Sequence, residues 1–267
     1  MTGAPGAAMS APFFAVDNIG IRFGGVVAVD GVSFSVAKGE CFTIIGPNGA
    51  GKTTIFNLIG LIYPATSGTI TFEGKVLNGL PPHRVAGYGI ARTFQNIELF
   101  EHASVLQNLL IGRHRHRRTG LWEELLFLPS VRRAEIEMRE AVEEVIEFLD
   151  LAKYRDSVVA GLPYGVRKVV ELARALATKP KLLLLDEPSS GLNPEETDDM
   201  AFWIEDIKKV LGITVLMVEH DMNLVSRVSD RVLALNEGKP IAEGTPAEVQ
   251  SHPAVVEAYL GGAEQVS

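Results

Sequence analysis

The feature that most constrains the fold is a glycine-rich segment between two apolar runs, Gly46-Pro47-Asn48-Gly49-Ala50-Gly51-Lys52-Thr53-Thr54. It matches the pattern G-x-x-x-x-G-K-[ST], with CFTII before it and IFNLIG after it. A strand, such a loop and a helix in this order turn backbone N–H groups inward, so that they can cradle phosphate oxygens. In this pattern Lys52 reaches the β- and γ-phosphates, and the hydroxyl of Thr53 coordinates Mg²⁺. The segment predicts a nucleotide-binding α/β fold, rather than an incidental glycine-rich turn.

A second chemical signature ends an apolar run farther along the chain. Residues 182–185 are four consecutive leucines, and Asp186 and Glu187 follow them. Unbroken apolar strands are typical of parallel sheets covered by helices, and the carboxyl ends of such strands meet at one edge. We expect Asp186 to hold the Mg²⁺ shell there, and Glu187 to polarise an attacking water as general base. The alternative is a strand capped by two solvated acids.

His220 follows another apolar run, at 213–218, and is therefore expected at the same edge of the sheet. At that edge its imidazole can touch the γ-phosphate and link the phosphate position to Glu187. A structural role is the alternative for a lone histidine.

The order of patterns along the chain predicts its organisation. Short β-like runs separated by Gly24-Gly25, Asp30-Gly31 and Lys38-Gly39 predict hairpins at the start of the chain. Apolar residues at helical spacing from 131 to 149 predict a helical insertion, and after residue 165 helices alternate with apolar strands. The expected divisions are a disordered tail at 1–12, an α/β core at 13–94 and 166–267, and a helical subdomain at 95–165.

Composition excludes several classes of protein. The 25 Lys and Arg against 33 Asp and Glu give a formal net charge of −8, which predicts no nucleic-acid partner. No run approaches the roughly 18 apolar residues of a membrane span, and the first ten residues carry no basic start of a secretory signal. The single cysteine, Cys41, excludes an internal disulfide and is expected to be buried. Together these features predict a soluble cytoplasmic protein.

The order of motifs resembles that of ATP-binding-cassette ATPases. After the glycine-rich loop come ARTFQNIELF, LPYGVRKVVELARAL, LLLLDEP, SSGLN and VEHDM. The phrases RFGGVVAVDGVSF, GLNPEET and IAEGTPAEVQ resemble most closely the ATPase subunits of branched-chain (hydrophobic) amino-acid importers. The resemblance covers nearly the whole chain beyond the tail. It implies a P-loop NTPase core with an N-terminal antiparallel β portion and an inserted α-helical subdomain, and ATP and Mg²⁺ as cofactors.

The resemblance also implies roles for single residues. Phe23 is similar to the aromatic residue on which adenine stacks, and Gln95 resembles the Q-loop residue that senses Mg²⁺ and water. Glu187 resembles the general base, and His220 the switch histidine. The signature that completes the site of a facing subunit would be Leu162-Pro163-Tyr164-Gly165-Val166.

Two residues depart from the family pattern. The signature usually reads L-S-G-G-Q, and Pro163 supplies neither the hydroxyl nor the N–H that the serine offers to the γ-phosphate. Asn193 stands where an aspartate is frequent in the D-loop, so that one charged contact across the dimer becomes neutral. We therefore expect this chain to pair with a second, different cassette ATPase that carries the serine, with a homodimer as the alternative.

An importer of this type implies several further partners. The resemblance predicts transmembrane permease subunits, an extracytoplasmic substrate-binding protein, and a location at the cytoplasmic face of the membrane. A lipid-export ATPase and a soluble non-transport cassette protein are the alternatives. The basic cluster at 113–118 is expected to be a solvated loop, with contact to lipid headgroups as the other reading.

Overall fold

The computed structural model describes residues 12–94, 97–113 and 129–263. Within these residues a small antiparallel sheet stands beside a larger, mostly parallel one. The strands of the small sheet are β1 (Phe14–Phe23), β2 (Val26–Val36), β4 (Ser67–Phe72) and β5 (Lys75–Val76). Their order in the sheet is β2-β1-β4-β5, and every neighbouring pair is antiparallel.

The larger sheet carries the chemistry-bearing strands. It contains β3 (Cys41–Ile45), β6 (Ile90–Arg92), β7 (Leu182–Asp186), β8 (Thr214–Val218), β9 (Arg231–Asn236) and β10 (Lys239–Gly244). The order is β10-β9-β3-β8-β7-β6, and the neighbours are parallel except for β10 with β9. Because β3, β7 and β8 run in the same direction, their carboxyl ends meet at one edge, as the sequence predicts.

Helices cover the larger sheet and form the inserted part. They are α1 (Lys52–Ile59), α2 (Pro82–Val85), α3 (Val105–Arg113), α4 (Pro129–Phe148), α5 (Tyr164–Leu176), α6 (Pro194–Lys209), α7 (Met222–Val228), α8 (Pro246–Ser251) and α9 (Pro253–Ala263). Helices α3 and α4 pack against α5. None of the helices in the described ranges combines the length and the apolar character that a membrane crossing requires.

The strand β7 shows how the core is divided. Leu182 and Leu184 pack in one apolar cluster with α1 and the small sheet. Leu183 and Leu185 point the other way, into a cluster with the inserted helices. The expectation that this strand is buried on both faces is therefore confirmed. Cys41 is also buried, and its burial raises the pKa of the thiol to about 12.

The structure corrects the predicted hairpins. Gly24-Gly25 does connect two paired strands, but Asp30-Gly31 lies inside β2 and is no turn between strands. Lys38-Gly39 leads from β2 into β3, which belongs to the other sheet. The reason is that all five residues of β3 are buried, and a strand buried on both faces belongs in the middle of a covered parallel sheet. The residue ranges proposed for core and helical subdomain stay a prediction, and residues 1–11 of the predicted tail lie outside the described residues.

Candidate functional site

The glycine-rich loop runs from the end of β3 to the start of α1, as predicted. Two of its glycines are required by close backbone approaches. A Cβ on Gly46 would lie 2.4 Å from the carbonyl oxygen of Leu235, and one on Gly51 would lie 2.6 Å from that of Ala28. Their φ angles are 155° and 96°, a region that residues with a side chain rarely adopt. Strands β9 and β2 therefore shape the loop.

Lys52, the first residue of α1, turns its ammonium group back over the loop. Its Nζ donates to the carbonyl oxygens of Gly46 at 2.7 Å and Pro47 at 3.0 Å. Burial lowers the pKa of Lys52, while the nearby charge of Glu187 acts in the opposite direction. A phosphate is a stronger, charge-assisted partner for an ammonium than two neutral carbonyls are. The lysine thus lies where a nucleotide phosphate can draw it away from the loop.

One cavity of about 400 Å³ joins the loop to the carboxyl edge of the larger sheet. It is lined by Val26, Val27, Ala28, Asn48, Gly49, Ala50, Gly51, Lys52, Thr53, Thr54, Glu187 and Glu237. Its volume falls within the range of small-molecule sites. The structure thus brings most of the predicted loop residues together with Glu187.

Phe23 is placed differently from the loop residues. Its side chain is 45% exposed, and its ring meets that of Tyr63 edge to face, with the centroids 5.2 Å apart. The cavity is lined instead by Val26, Val27 and Ala28, at the start of β2. Stacking of adenine on Phe23 therefore stays a prediction, drawn from the resemblance alone.

Asp186 ends β7 and is almost fully buried, with 2% of its surface exposed. Arg92, on β6, donates from Nη2 to Oδ2 of Asp186 at 2.8 Å. The other oxygen, Oδ1, is buried and has no hydrogen-bond partner among the described residues. A carboxylate oxygen held in this way suits a hard cation such as Mg²⁺, so Asp186 fits that role.

Few protein ligands surround this carboxylate. The described part of the chain contains no group of three His, Cys, Asp or Glu side chains that could hold a metal ion. Mg²⁺ commonly takes one or two protein oxygens and completes its shell with waters and substrate phosphates. A single buried carboxylate such as Asp186 is compatible with a shell of that kind.

Glu187 and His220 lie at the same edge of the sheet, as predicted. The imidazole Nδ1 of His220 is 3.8 Å from Oε2 of Glu187. The side chain of Glu187 is 15% exposed and that of His220 is 54% exposed. The backbone N–H of Glu187 donates to the carbonyl oxygen of Val218 at 2.9 Å, which ties this residue to the neighbouring strand β8. The carboxylate can therefore meet a water molecule, with the imidazole beside it.

Two side chains at this edge were missed from the sequence. Arg92 holds Asp186, and Glu219 is a fully buried carboxylate directly before His220. No sequence pattern relates residue 92 to residue 186. For Glu219 a weak signal exists, since an acidic residue directly after a buried strand is unusual unless it has partners.

The signature segment lies against the loop that follows Glu187. Pro163 precedes α5 with an extended backbone, and the hydroxyl of Tyr164 donates to the carbonyl oxygen of Ser190 at 3.3 Å. A Cβ on Gly165 would lie 2.2 Å from Oε1 of Glu196 in α6. Leu162 and Val166 pack partly buried in the cluster of the inserted helices. None of the residues 162–166 lines the cavity at the glycine-rich loop.

Asn193 has a structural task within the chain. Its side chain accepts a hydrogen bond from the N–H of Glu196 at 3.0 Å, and the N–H of Asn193 donates to the carboxylate of Glu196 at the same distance. This reciprocal pair is a capping box at the start of α6. The start of helix α6 therefore explains part of the segment GLNPEET.

Some predicted residues cannot be placed. Gln95 and the cluster residues 114–118 lie outside the described residues. Arg113 is described, and for it the expectation of a solvated loop is wrong. It is buried at the end of α3, and its Nη1 donates to the carbonyl oxygen of Ala177 at 2.9 Å. The long side chain thus satisfies a backbone oxygen just beyond the end of α5 instead of facing solvent.

Family models and relatives agree with this arrangement. Residues 29–190 match the family model described as ABC transporter. Residues 239–265 match a second model, described as Branched-chain amino acid ATP-binding cassette transporter. This second match covers β10, α8 and α9, the last elements of the described chain.

Curated relatives and solved structures match over almost the full length. The high-affinity branched-chain amino acid transport ATP-binding protein BraF of Pseudomonas aeruginosa is 42% identical over 96% of this chain and 100% of its own length. The corresponding protein LivG of Escherichia coli strain K12 is 41% identical over the same shares.

A solved ATP-binding cassette of an ABC transporter in its ADP conformation has a TM-score of 0.82 and 36% identity. The match covers 94% of this chain and 100% of that one. A nucleotide-free cassette has a TM-score of 0.80 and 36% identity, over 92% of this chain and 98% of that one. The P-loop fold with its antiparallel β portion and helical insertion is confirmed, and the chain belongs to the ATP-binding-cassette transporter family.

Proposed function

We propose that this chain is the ATP-hydrolysing subunit that powers an importer of branched-chain or other hydrophobic amino acids. The observation that carries the proposal is the single cavity in which Lys52, Thr53 and Glu187 meet. The substrate class follows from relatives that are named for branched-chain amino acid transport and match 96% of the chain.

The proposed chemistry assigns a task to each side chain. Lys52 leaves the loop carbonyls and binds the β- and γ-phosphates, while the loop amides bind the remaining phosphate oxygens. Thr53, Asp186 and Gln95 would hold Mg²⁺, which neutralises phosphate charge when it is bound. Glu187 accepts a proton from the attacking water, and His220 orients the γ-phosphate beside it.

The proposed partners include transmembrane permease subunits. A largely apolar cavity of about 450 Å³ lies between the α1–α2 region and the inserted helices, with Ile62, Val85, Phe94 and Ile111 in its lining. Phe94, in this lining, directly precedes Gln95 in the sequence. We place a cytoplasmic helix of the permease in this cavity, which puts the chain at the cytoplasmic face of the membrane. Such an importer also uses an extracytoplasmic substrate-binding protein.

The partner ATPase is proposed to be a different chain. A composite site needs the signature of a facing subunit, because residues 162–166 do not line this chain's own cavity. Pro163 makes this chain a poor donor to the opposite site, so a serine-bearing partner is the better match. A homodimer remains the competing arrangement.

Two variants test the chemistry. Glu187→Gln keeps the shape of the side chain but cannot accept a proton, so ATP binding should stay within about threefold while multiple turnover is lost. Lys52→Ala removes the ammonium, so ATP affinity should fall at least about tenfold. Glu147→Gln, an exposed change on α4, is the matched control. Turnover of Glu187→Gln within about threefold of wild type would refute the assignment.

The transported substrate needs its own experiment. A strain that lacks this chain should lose ATP-dependent uptake of labelled leucine, isoleucine and valine, and regain it with wild type but not with Glu187→Gln. Unchanged uptake together with altered lipid composition of the envelope would favour the lipid-export alternative. Unchanged uptake with no permease co-purifying with the tagged chain would favour a soluble cassette protein.

A further inference from the structure

The carboxylate of Glu219 is fully buried, and it accepts hydrogen bonds from two different loops. Its Oε1 accepts from the backbone N–H of Ser189 at 2.9 Å and from the Ser189 hydroxyl at 2.5 Å. Its Oε2 accepts from the backbone N–H groups of His220 at 2.6 Å and Asp221 at 3.0 Å. Four donors on two oxygens nearly exhaust the acceptor capacity of this carboxylate.

The two loops are those that carry the proposed base and the proposed switch histidine. Ser189 lies two residues after Glu187, at the end of β7, and Asp221 follows His220, at the end of β8. The strands are direct parallel neighbours, with Asp186 opposite Val218. Glu219 is therefore a cross-link between the loop of Glu187 and the loop of His220.

Glu187 needs such support because its backbone is unusual. Its φ angle is 48°, in the left-handed region that residues with a side chain rarely adopt. One side of this residue is held by its N–H bond to Val218. The other side is held through Ser189, and hence through Glu219. The loop of Glu187 is thus linked to the loop of His220 through Ser189 and Glu219.

Burying a carboxylate is costly, and one use of a buried carboxylate is to fix a geometry that a neutral group cannot fix. Burial lowers the pKa values of Lys52 and Lys168, while the charges of nearby carboxylates, Glu219 among them, act in the opposite direction. A glutamine has one acceptor oxygen and one NH₂ group, so it would turn donors towards donors in one of the two loops. The acceptor character of both oxygens of Glu219 thus matters.

We propose that Glu219 is a positioning residue for ATP hydrolysis, which sets the distance between Glu187 and His220 by binding both of their loops. The inference rests on the proposed function, because it needs ATP turnover to be the reaction at this edge. It predicts an effect on the rate of hydrolysis and little effect on binding, since the phosphate-binding loop makes none of these four hydrogen bonds.

The test compares the full-length wild type with Glu219→Gln in ATP turnover and in nucleotide binding. We expect kcat to fall about 30- to 100-fold, because small misplacements of catalytic groups cost that much, while KM and ATP affinity stay within about twofold. Ser189→Ala, which removes only the hydroxyl bond, should lower kcat less. The double variant should be no slower than Glu219→Gln, since both changes break the same link, the one between Glu219 and Ser189. Additive losses, or an unchanged kcat, would overturn the proposal.

Glu40→Gln is the matched control. Glu40 is also a buried carboxylate that accepts a backbone hydrogen bond, from Ala37 at 2.6 Å, but it lies far along the sheet from the site, at the amino end of β3. The variant Glu40→Gln should be less stable than wild type but should have the same kcat. A loss of kcat as large in Glu40→Gln as in Glu219→Gln would show that Glu219 acts only through stability.

Amide hydrogen exchange measures the cross-link without relying on turnover. In Glu219→Gln, peptides that cover 187–193 and 219–222 should exchange faster, and in Glu40→Gln they should not. If these peptides exchange at the wild-type rate, the cross-link does not hold the loops and the proposal fails. If wild type binds no ATP and hydrolyses none, the proposed function fails instead, and the exchange result still reports on the link.

Discussion

Arg92 donates to one oxygen of Asp186 at 2.8 Å and leaves the other oxygen, which is also buried, without a hydrogen-bond partner in the described part of the chain. The same guanidinium donates from Nη1 to the carbonyl oxygen of Phe56 at 3.2 Å and to the side chain of Asn57 at 2.9 Å. Arg92 thus ties helix α1, which follows the glycine-rich loop, to the end of β7. The carboxylate is held in place from one side while its second oxygen stays available.

The first prediction concerns the stability of this pair. Arg92→Leu should lower the free energy of unfolding by about 3–5 kcal/mol, because it leaves a buried carboxylate without its charged partner. Urea denaturation of the full-length chain, followed by circular dichroism, measures the change. Arg139→Leu removes an exposed i,i+4 pair with Glu135 and should cost less than about 1 kcal/mol. Equal losses in the two variants would contradict the prediction.

The contrast between Asp186 and Arg92 shows what the sequence can and cannot reveal. Asp186 could be predicted because it ends a run of four leucines whose burial on both faces is evident from composition. Arg92 could not, since β6 is only three residues long and its partner lies 94 residues away. Glu219 stands in the motif VEHDM, but its burial depends on how β7 and β8 pair, which no local pattern gives.

The elements at the C-terminal end of the described chain also could not be predicted from the sequence. Helices α8 and α9 are short or weakly amphipathic, and β10, at the edge of the sheet, has only exposed and half-buried residues. Periodicity is strongest for elements with a fully buried face, so such edge elements give little signal. The predicted turn at Asp30-Gly31 was wrong for a related reason. A dipeptide that favours turns can also lie at an irregularity within a strand, as it does in β2.

The second prediction concerns the helix cap at Asn193. Asn193→Ala removes the acceptor for the N–H of Glu196 and should lower the free energy of unfolding by about 1 kcal/mol. Asn193→Asp keeps an acceptor at the helix start and should stay within about 0.5 kcal/mol of wild type. Thermal and urea unfolding of both variants provide the comparison. A larger loss for aspartate than for alanine would show that the capping box does not govern this position.

The third prediction concerns pH. Glu171, on α5, is buried and accepts from the N–H of Phe94 at 3.1 Å, and burial raises the pKa of its carboxyl group. A raised pKa in the folded state means that the folded protein binds the proton more tightly than the unfolded chain does. The contribution of Glu171 to stability is therefore complete below the pKa of the unfolded chain, and it is lost as pH rises through the raised value.

Glu171→Gln tests this sign. The amide stays neutral and can still accept from Phe94, so the variant should gain stability relative to wild type as pH rises above about 4.3, the ordinary pKa of a glutamate. Urea denaturation at several pH values measures the difference, and Glu147→Gln on the exposed face of α4 is the control for the same change of carboxylate to amide. A difference between Glu171→Gln and wild type that does not change with pH would show that the carboxyl group titrates alike in the folded and unfolded chain.

The last prediction concerns Pro163 and the choice of partner. The first intrahelical bond of α5 runs from the N–H of Arg167 to the carbonyl oxygen of Pro163 at 3.0 Å. The N–H groups of residues 164–166 therefore have no partner within the helix and remain able to bind an anion. Pro163 itself can add neither a hydroxyl nor an N–H to them.

A homodimer would lack the serine's hydrogen bonds at both of its composite sites, whereas a heterodimer with a serine-bearing partner would lack them at one. A charge-assisted hydrogen bond of this kind contributes roughly 1.5–3 kcal/mol, which corresponds to at least about tenfold in rate or affinity. We expect the chain alone to be a weakly dimerising ATPase, at least about tenfold slower than the complex with its partner subunit.

Pro163→Ser should raise turnover and ATP-dependent dimerisation of the lone chain several-fold, measured by phosphate release and sedimentation. Pro246→Ser, at the start of α8, is the control and should change neither. If the lone chain already matches the complex and the serine adds nothing, the free N–H groups at the start of α5 are sufficient, and the preference for an unlike partner must be abandoned.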